Sequence, residues 1–182
     1  VGTRDFTVTI TGTNDAPSLS SFTSAVATGN EDSSIEVTLA NLIAQGNEAD
    51  VDGSVNAFVV KSVASGTLKI GTSAETATDW NAATNKTIDT TNKAYWTPAA
   101  NANGTLNAFT AVAKDNTGAE SVTAITATIS VTSQNDVPTG SDQAISVATG
   151  NTALSLSQFG FNDVDIGDSI KAVRIDSLPS AG

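Results

Sequence analysis

The chain alternates apolar and polar residues with a period of two over much of its length, which is typical of half-buried β-strands. Residues 6–11 alternate Phe, Val and Ile with threonines, and a similar alternation returns at 122–131. Clusters of Gly, Asn and Asp separate these runs, and residues 115–118 lie between two of them, which predicts a hairpin. Only residues 41–48 carry a weakly helical pattern, so the sequence predicts an all-β protein.

Short strands at regular spacing, with turns between them, favour an antiparallel β-sandwich. The predicted strands A to G cover residues 18–27, 34–40, 54–63, 67–71, 93–97, 107–114 and 120–132. Residues 72–91 contain Trp80 but little pattern, and they predict either a long loop or an added hairpin.

The sequence also repeats itself, which indicates a tandem arrangement. Residues 6–17 return as 127–138, an offset of 121, and both segments contain Asn-Asp-x-Pro. The Asp-Val-Asp of residues 50–52 returns at 163–165, and the changed offset of 113 indicates insertions and deletions in loops. We therefore expect a fragment of a longer protein that holds the C-terminal strand of one repeat (1–15), a complete repeat (16–136) and the N-terminal part of a following repeat (137–182).

Composition narrows the classes of function. The 182 residues include 8 basic and 19 acidic side chains, a net charge of −11, with no His and no Cys. This excludes Ser-His and Cys-His catalysis, thiolate or imidazole metal sites and disulfides, and it argues against nucleic-acid binding. No apolar run approaches the roughly 20 residues that span a bilayer, so membrane insertion is not expected. An acidic chain suits a cation as partner.

The acidic and amide residues fall at the predicted ends of the sandwich. With alternating strand directions, the entering linker and the BC and FG loops share one pole, whereas the AB turn and the next linker share the other. The first pole receives Asn14, Asp15, Asp50, Asp52, Asp115 and Asn116. The second pole receives Glu31, Asp32, Asn135 and Asp136, beside Asp163, Asp165 and Asp168 of the following repeat.

Carboxylates crowded at one junction repel one another unless a cation neutralises them. Calcium accepts several oxygen ligands in a flexible shell, whereas magnesium demands a stricter octahedron and retains waters, so these clusters predict Ca²⁺. Turn chemistry is the alternative, because Asp and Asn often bond their own backbone, and it is the stronger interpretation for any single motif. The recurrence of both motifs at equivalent places favours calcium.

Residues 8–17, Val-Thr-Ile-Thr-Gly-Thr-Asn-Asp-Ala-Pro, resemble the closing strand and linker of VCBS and bacterial cadherin-like repeats in giant RTX-type adhesins. Further motifs follow in the order of that family: Asn30-Glu-Asp-Ser33, Ala49-Asp-Val-Asp-Gly53, Tyr95-Trp-Thr-Pro98 with Asn103-Gly104, and Ala113-Lys-Asp-Asn-Thr-Gly118. The resemblance implies Ig/cadherin-like β-sandwiches in tandem, secreted by a type I system to the bacterial cell surface. It implies a calcium-stiffened extender that projects a ligand-binding region for adhesion or biofilm formation, with neighbouring repeats as its partners. It also implies that Glu31, Asn135, Asp136, Asp163 and Asp165 share calcium ions.

Two other functions remain open from the residues. Paired carboxylates can hydrolyse glycosidic bonds, but the acids lie at predicted domain junctions, so we expect no enzyme. An extracellular carbohydrate-binding module, with surface glycans as partners, is the main alternative. Tyr95 and Trp96 point to opposite faces of a strand, so one of them fills the core, and Trp80 is the candidate ligand contact.

A covalent crosslink is a further possibility that the sequence leaves open. An intramolecular Lys–Asn isopeptide bond, as in some adhesins, would involve Lys61, Lys69 or Lys114.

Overall fold

The structure is a computed structural model that describes residues 2–146, 150 and 152–177. It divides into two compact units, Val1–Ser133 and Gln134–Gly182. The elements of the first unit are β1 (Ala27–Asn30), β2 (Ile35–Val37), α1 (Leu39–Gln45), β3 (Val55–Val63), β4 (Thr67–Gly71), β5 (Thr78–Asp79), β6 (Thr87–Ile88), β7 (Lys93–Thr97), β8 (Gly104–Asp115) and β9 (Ile125–Thr132). Those of the second are β10 (Thr139–Ser141), a 3₁₀ helix (Leu156–Gln158) and β11 (Gly160–Asn162). The prediction of an all-β protein is confirmed.

The first unit contains two sheets. One has the strand order β1-β9-β8-β3-β6 and the other has the order β2-β7-β4-β5. Strand β8 pairs antiparallel with both β3 and β9, which places the predicted hairpin at the β8–β9 connection. Strand β1 runs parallel to β9, with Ala27 opposite Ile129. This parallel pair departs from the prediction of a wholly antiparallel sandwich. Strands β1 and β9 are the first and last strands of the unit, and a parallel pair is possible because no tight hairpin has to join them.

Alternation along the strands builds one hydrophobic core that both sheets share. Phe58 of β3 and Phe109 of β8 come from the first sheet, and Trp96 of β7 comes from the second; all three are fully buried. The indole N–H of Trp96 donates to the carbonyl of Ser65 at 2.7 Å, so its polar edge is satisfied inside the core. Burial of these aromatic rings supplies much of the driving force for folding.

Predicted strands C, D and E match β3, β4 and β7 within one residue, but the prediction of strand A was wrong. Before β1, Ser18 and Phe22 make isolated bridges to Ala49 and Gly46, in the loop after α1. The first part of the segment therefore follows that loop, and contact with the sheet begins at Val26, whose N–H donates to the carbonyl of Thr128 at 2.8 Å. Strand β9 likewise begins at Ile125 rather than at residue 120.

The weak helical pattern corresponds to α1. Thr38 caps this helix: its Oγ1 accepts the N–H of Asn41 at 3.1 Å, and Asn41 Oδ1 accepts the N–H of Thr38 at 2.9 Å. The cap ends β2 at Val37, earlier than predicted. Within the part of the chain that the structure describes, no helix has the length and hydropathy needed to cross a bilayer.

Residues 72–91 connect the two sheets. Strand β5 pairs with β4, whereas β6 pairs with β3 in the other sheet. A bridge between Asn81 and Asn85 lies between them. The segment is therefore neither a plain loop nor a hairpin added to one sheet. It supplies one edge strand to each sheet, β5 to one and β6 to the other.

Residues 2–11 show that alternation alone does not make a strand. The same pattern is buried in β9, yet Phe6 and Ile10 are each 90% exposed and the segment has no strand assignment. Among the described residues no strand pairs with it. A β-strand is stabilised by a neighbour, so the assignment of residues 1–15 to the C-terminal strand of a preceding repeat stays a prediction.

We expect Trp96→Ala to lower the free energy of unfolding by about 3–5 kcal/mol, because it leaves a cavity in the shared core. Trp80→Ala is the matched control. Trp80 is half-buried, so its removal should cost less. Chemical denaturation of both variants, followed by circular dichroism, tests the order; equal losses would contradict it.

Candidate metal centre

The structure brings three segments of the first unit together at one pole: the linker, the loop between α1 and β3, and the β8–β9 turn. The Asp15 N–H donates to the two carboxylate oxygens of Asp52 at 3.3 and 3.2 Å. The Asn14 side-chain amide donates to Asp115 Oδ2 at 2.8 Å. Polar atoms of the linker thus contact an acid from each of the other two segments.

Asp115 lies at the end of β8 and is only 1% exposed. Its Oδ1 accepts the backbone N–H groups of Thr117, Gly118 and Ala119 at 2.9, 2.6 and 2.8 Å, and the Thr117 hydroxyl at 3.0 Å. Its Oδ2 points to Asn14 instead. The Asn14 amide, followed by the donors from Thr117 and Ala119, lowers the pKa of this carboxyl to about 2, against the opposing effect of burial.

Asp50 divides its two oxygens in a similar way. Its Oδ1 accepts the N–H groups of Asp52 and Gly53 at 3.3 and 3.1 Å, which is turn chemistry. Its Oδ2 is buried and has no hydrogen-bond partner among the described residues. A buried carboxylate oxygen without a donor is rare in folded proteins, so this atom is suited to a cation ligand.

Gly53 leaves space beside that oxygen. A Cβ added at this position would lie 2.6 Å from Asn116 Oδ1 and 2.9 Å from Asp50 Oδ2. Any side chain here would therefore displace one of these two oxygens. The glycine permits their approach.

The second unit builds the corresponding arrangement with the residues of the next repeat. The Asp136 N–H donates to Asp165 Oδ2 at 2.6 Å, and the Asp165 N–H donates to Asp163 Oδ1 at 3.0 Å. The Asn135 amide donates to the carbonyl of Asp136 at 2.8 Å. The corresponding residues of the first unit make the same three hydrogen bonds. Both copies of the motif thus fold alike around the linker.

Three carboxylates meet in the second unit. Asp163, Asp165 and Asp168 each offer an oxygen within 4.8 Å of the other two, a group that could hold a metal ion. Asp168 belongs to a loop that is two residues longer than the loop after Asp52. The donor set is all oxygen, which fits a hard cation such as calcium.

Glu31 and Asp32 lie in the turn between β1 and β2. The loop between β7 and β8 donates hydrogen bonds to both of them. Glu31 is 4% exposed; its Oε2 accepts the Asn103 amide at 3.0 Å and its Oε1 accepts the Ser133 hydroxyl at 3.3 Å. Asp32 Oδ1 accepts the N–H of Asn101 at 3.0 Å. Asp32 and Asn101 have φ values of +55° and +58°, a conformation that Asp and Asn tolerate better than most residues. In the sequence, only the Asn-Gly turn signal pointed to this loop.

Glu48 was missed by the sequence analysis. Its Oε2 is buried and, within the described ranges, has no hydrogen-bond partner. Glu48, Asp50 and Asp52 alternate along the chain, and alternate residues of an extended segment share a face. This alternation is the sequence signal that would have grouped Glu48 with the two aspartates.

Two other predicted residues have ordinary structural contacts. Trp80 packs against the core, and its indole N–H donates to the carbonyl of Val60 at 3.4 Å. Lys61 forms an ion pair with Glu120. The ligand role of Trp80 and the isopeptide crosslink stay predictions.

No family profile matches this chain, and neither a curated protein nor a solved structure shows significant similarity to it. The function therefore has to be argued from the geometry of these clusters.

We expect Asn14→Ala to raise the pKa of Asp115 towards its usual value of 3.8, because Asn14 is the main donor that lowers it. A carboxyl whose pKa is lower in the folded than in the unfolded protein stabilises the fold at pH values above the unfolded pKa. In the parent protein, the stability that Asp115 contributes should therefore be lost as the pH falls from about 4 to about 2. NMR titration of the Asp115 carboxyl in chelator measures the shift. Thr13→Ala is the control, and an identical Asp115 titration in both variants would contradict the assignment.

Proposed function

We propose that this chain is a calcium-stiffened extender segment of a large bacterial surface adhesin, built from Ig/cadherin-like β-sandwiches in tandem. One observation carries the proposal: a linker N–H bonds the second acid of an Asp-x-Asp loop in both units, at Asp15–Asp52 and at Asp136–Asp165. The same arrangement in two copies favours a role that belongs to the repeat itself.

The donor set supports calcium as the cation. Asp163, Asp165 and Asp168 supply three clustered carboxylates, and in the first unit the buried Asp50 Oδ2 has no hydrogen-bond partner among the described residues. Calcium takes six to eight oxygens from flexible loops, whereas magnesium usually retains several waters. A cation on either loop would neutralise carboxylates that otherwise repel one another.

The hydrogen bonds explain how a bound cation would stiffen the chain. The Asp-x-Asp loop holds the linker through a backbone N–H, and in the first unit Asn14 also holds the Asp115 turn. A cation that fixes the carboxylates therefore also restrains the linker residues bonded to them. Because it binds only the folded form, it also adds to stability by mass action.

The sandwich and the cell-surface location rest on further arguments. Two sheets that share one hydrophobic core support an Ig-like sandwich for the first unit. The motif order shared with VCBS and cadherin-like repeats supports an extracellular adhesin, with neighbouring repeats as partners. Glu31 and Asp32, held by Asn103 and Asn101, are the predicted ligands at the other end of the first unit.

Calcium should raise the melting temperature of the 182-residue chain relative to chelator. At a hundredfold excess over Kd the gain is about 2.7 kcal/mol, roughly 5–10 °C for a chain of this size. Asp50→Asn and Asp163→Asn should each remove part of this gain, whereas Asp79→Asn on the exposed strand β5 should retain it. Differential scanning calorimetry measures the gain and titration calorimetry the binding. Equal melting in calcium and chelator, with no heat of binding, would reject the proposal.

Gly53→Ala tests the first site separately. The added methyl group would occupy the space between Asp50 Oδ2 and Asn116 Oδ1, so calcium affinity there should fall at least about tenfold. Gly12→Ala is the matched control, since a Cβ at that position meets no atom within 4 Å. Titration calorimetry in an Asp163→Asn background isolates the first site, and equal affinities for the two variants would count against this geometry.

A further inference from the structure

Asn116 joins the β8–β9 turn to the start of β3 by two reciprocal hydrogen bonds. Its side-chain Oδ1 accepts the N–H of Ser54 at 2.9 Å, and its own backbone N–H donates to the carbonyl of Ser54 at 3.0 Å. The side chain thereby extends the antiparallel β3–β8 ladder, whose last pair is Val55 and Asp115, by one further contact.

This contact lies between two sources of candidate ligands. Ser54 directly follows the loop that carries Asp50 and Asp52, and Asn116 directly follows Asp115. Fixing Ser54 to Asn116 therefore fixes the separation between the acids of the loop and the acid of the turn. Without the side-chain bond, the backbone N–H of Asn116 would still hold the Ser54 carbonyl, but the Ser54 N–H would lose its acceptor, and the acids before it would be held by their own turn and by the linker.

A second observation points to a ligand at the same place. The buried Asp50 Oδ2 has no hydrogen-bond partner within the described residues, and it approaches the position that a Gly53 Cβ would occupy, as Asn116 Oδ1 does. An oxygen that a fold buries without a donor is costly unless a cation completes it. The Asn116 contact holds the loop that buries this oxygen.

We propose that Asn116 is a positioning residue for the calcium site of the first unit, and this inference rests on the proposed function. It acts through Asp50 and Asp52: it holds their loop against the Asp115 turn, so that the carboxylates are ordered before the cation arrives. Residues that orient metal ligands commonly change affinity by about 10- to 100-fold when they are replaced.

The test compares three variants in an Asp163→Asn background, so that calcium is titrated into the first unit. Asn116→Ala removes the acceptor for the Ser54 N–H, and calcium affinity should fall by about 10- to 100-fold. Asn116→Asp keeps an acceptor oxygen at that position, so affinity should stay within about threefold of the parent or increase. Asn107→Ala, which changes an exposed asparagine of β8, should leave affinity unchanged.

Melting in calcium and in chelator separates positioning from simple stabilisation. A positioning role predicts that Asn116→Ala loses part of the calcium-dependent gain and that Asn116→Asp restores it. Equal losses in calcium and chelator, with an unchanged Kd, would overturn the inference while leaving the proposed function intact. Absence of calcium binding by the parent would overturn the proposed function itself. If Asn116→Ala does not fold, Asn116→Ser is titrated in its place, and an unchanged Kd would again overturn the inference.

Discussion

The pole of the first unit where the linker, the loop between α1 and β3 and the β8–β9 turn meet depends on the hydrogen bonds of the buried Asp115 carboxylate. A charged group that is 1% exposed is costly to bury unless donors surround it, and here the Thr117–Ala119 turn and the Asn14 amide supply them. The N–H groups of the turn hold Oδ1 of Asp115, so Oδ2 is left to accept the side-chain amide of Asn14 in the linker. The position of the linker therefore depends on how β8 ends.

Turn chemistry and metal chemistry are not alternatives at this pole, although the sequence presents them as such. Asp50 uses Oδ1 to accept two N–H groups of its own turn, while its Oδ2 is buried without a hydrogen-bond partner in the described chain. The same side chain therefore accepts backbone N–H groups through one oxygen and leaves the other available to a cation. The abundance of Asp in turns is thus compatible with a cation site, because each carboxylate has two oxygens with separate partners.

Local patterns predicted the elements whose partners lie within the described chain. Strands β3, β4 and β7 follow their alternation because a neighbouring strand pairs with each of them. At residues 6–11 the same pattern has no strand partner among the described residues. The strand predicted from residue 18 starts only at Ala27, because Ser18 and Phe22 bridge the loop after α1 instead. Repetition revealed Asp15, Asp50 and Asp52, and the predicted loop order placed Asp115 and Asn116 at the same pole. The contacts that Asn116 and Asn103 make were not predicted, because they join residues 62 and 72 positions apart. A single turn signal contains no information on such pairing.

The two Asp-x-Asp loops differ in their number of carboxylates, but both make the same hydrogen bond to the linker. The loop of the second unit is two residues longer and adds Asp168, yet Asp136 still bonds Asp165 as Asp15 bonds Asp52. Insertion thus changes the number of carboxylates near the linker and leaves the linker-to-loop bond in place. The geometry that both copies retain is this backbone contact with the second acid of the pair, so loop length changes the number of nearby carboxylates while the linker remains held in the same way.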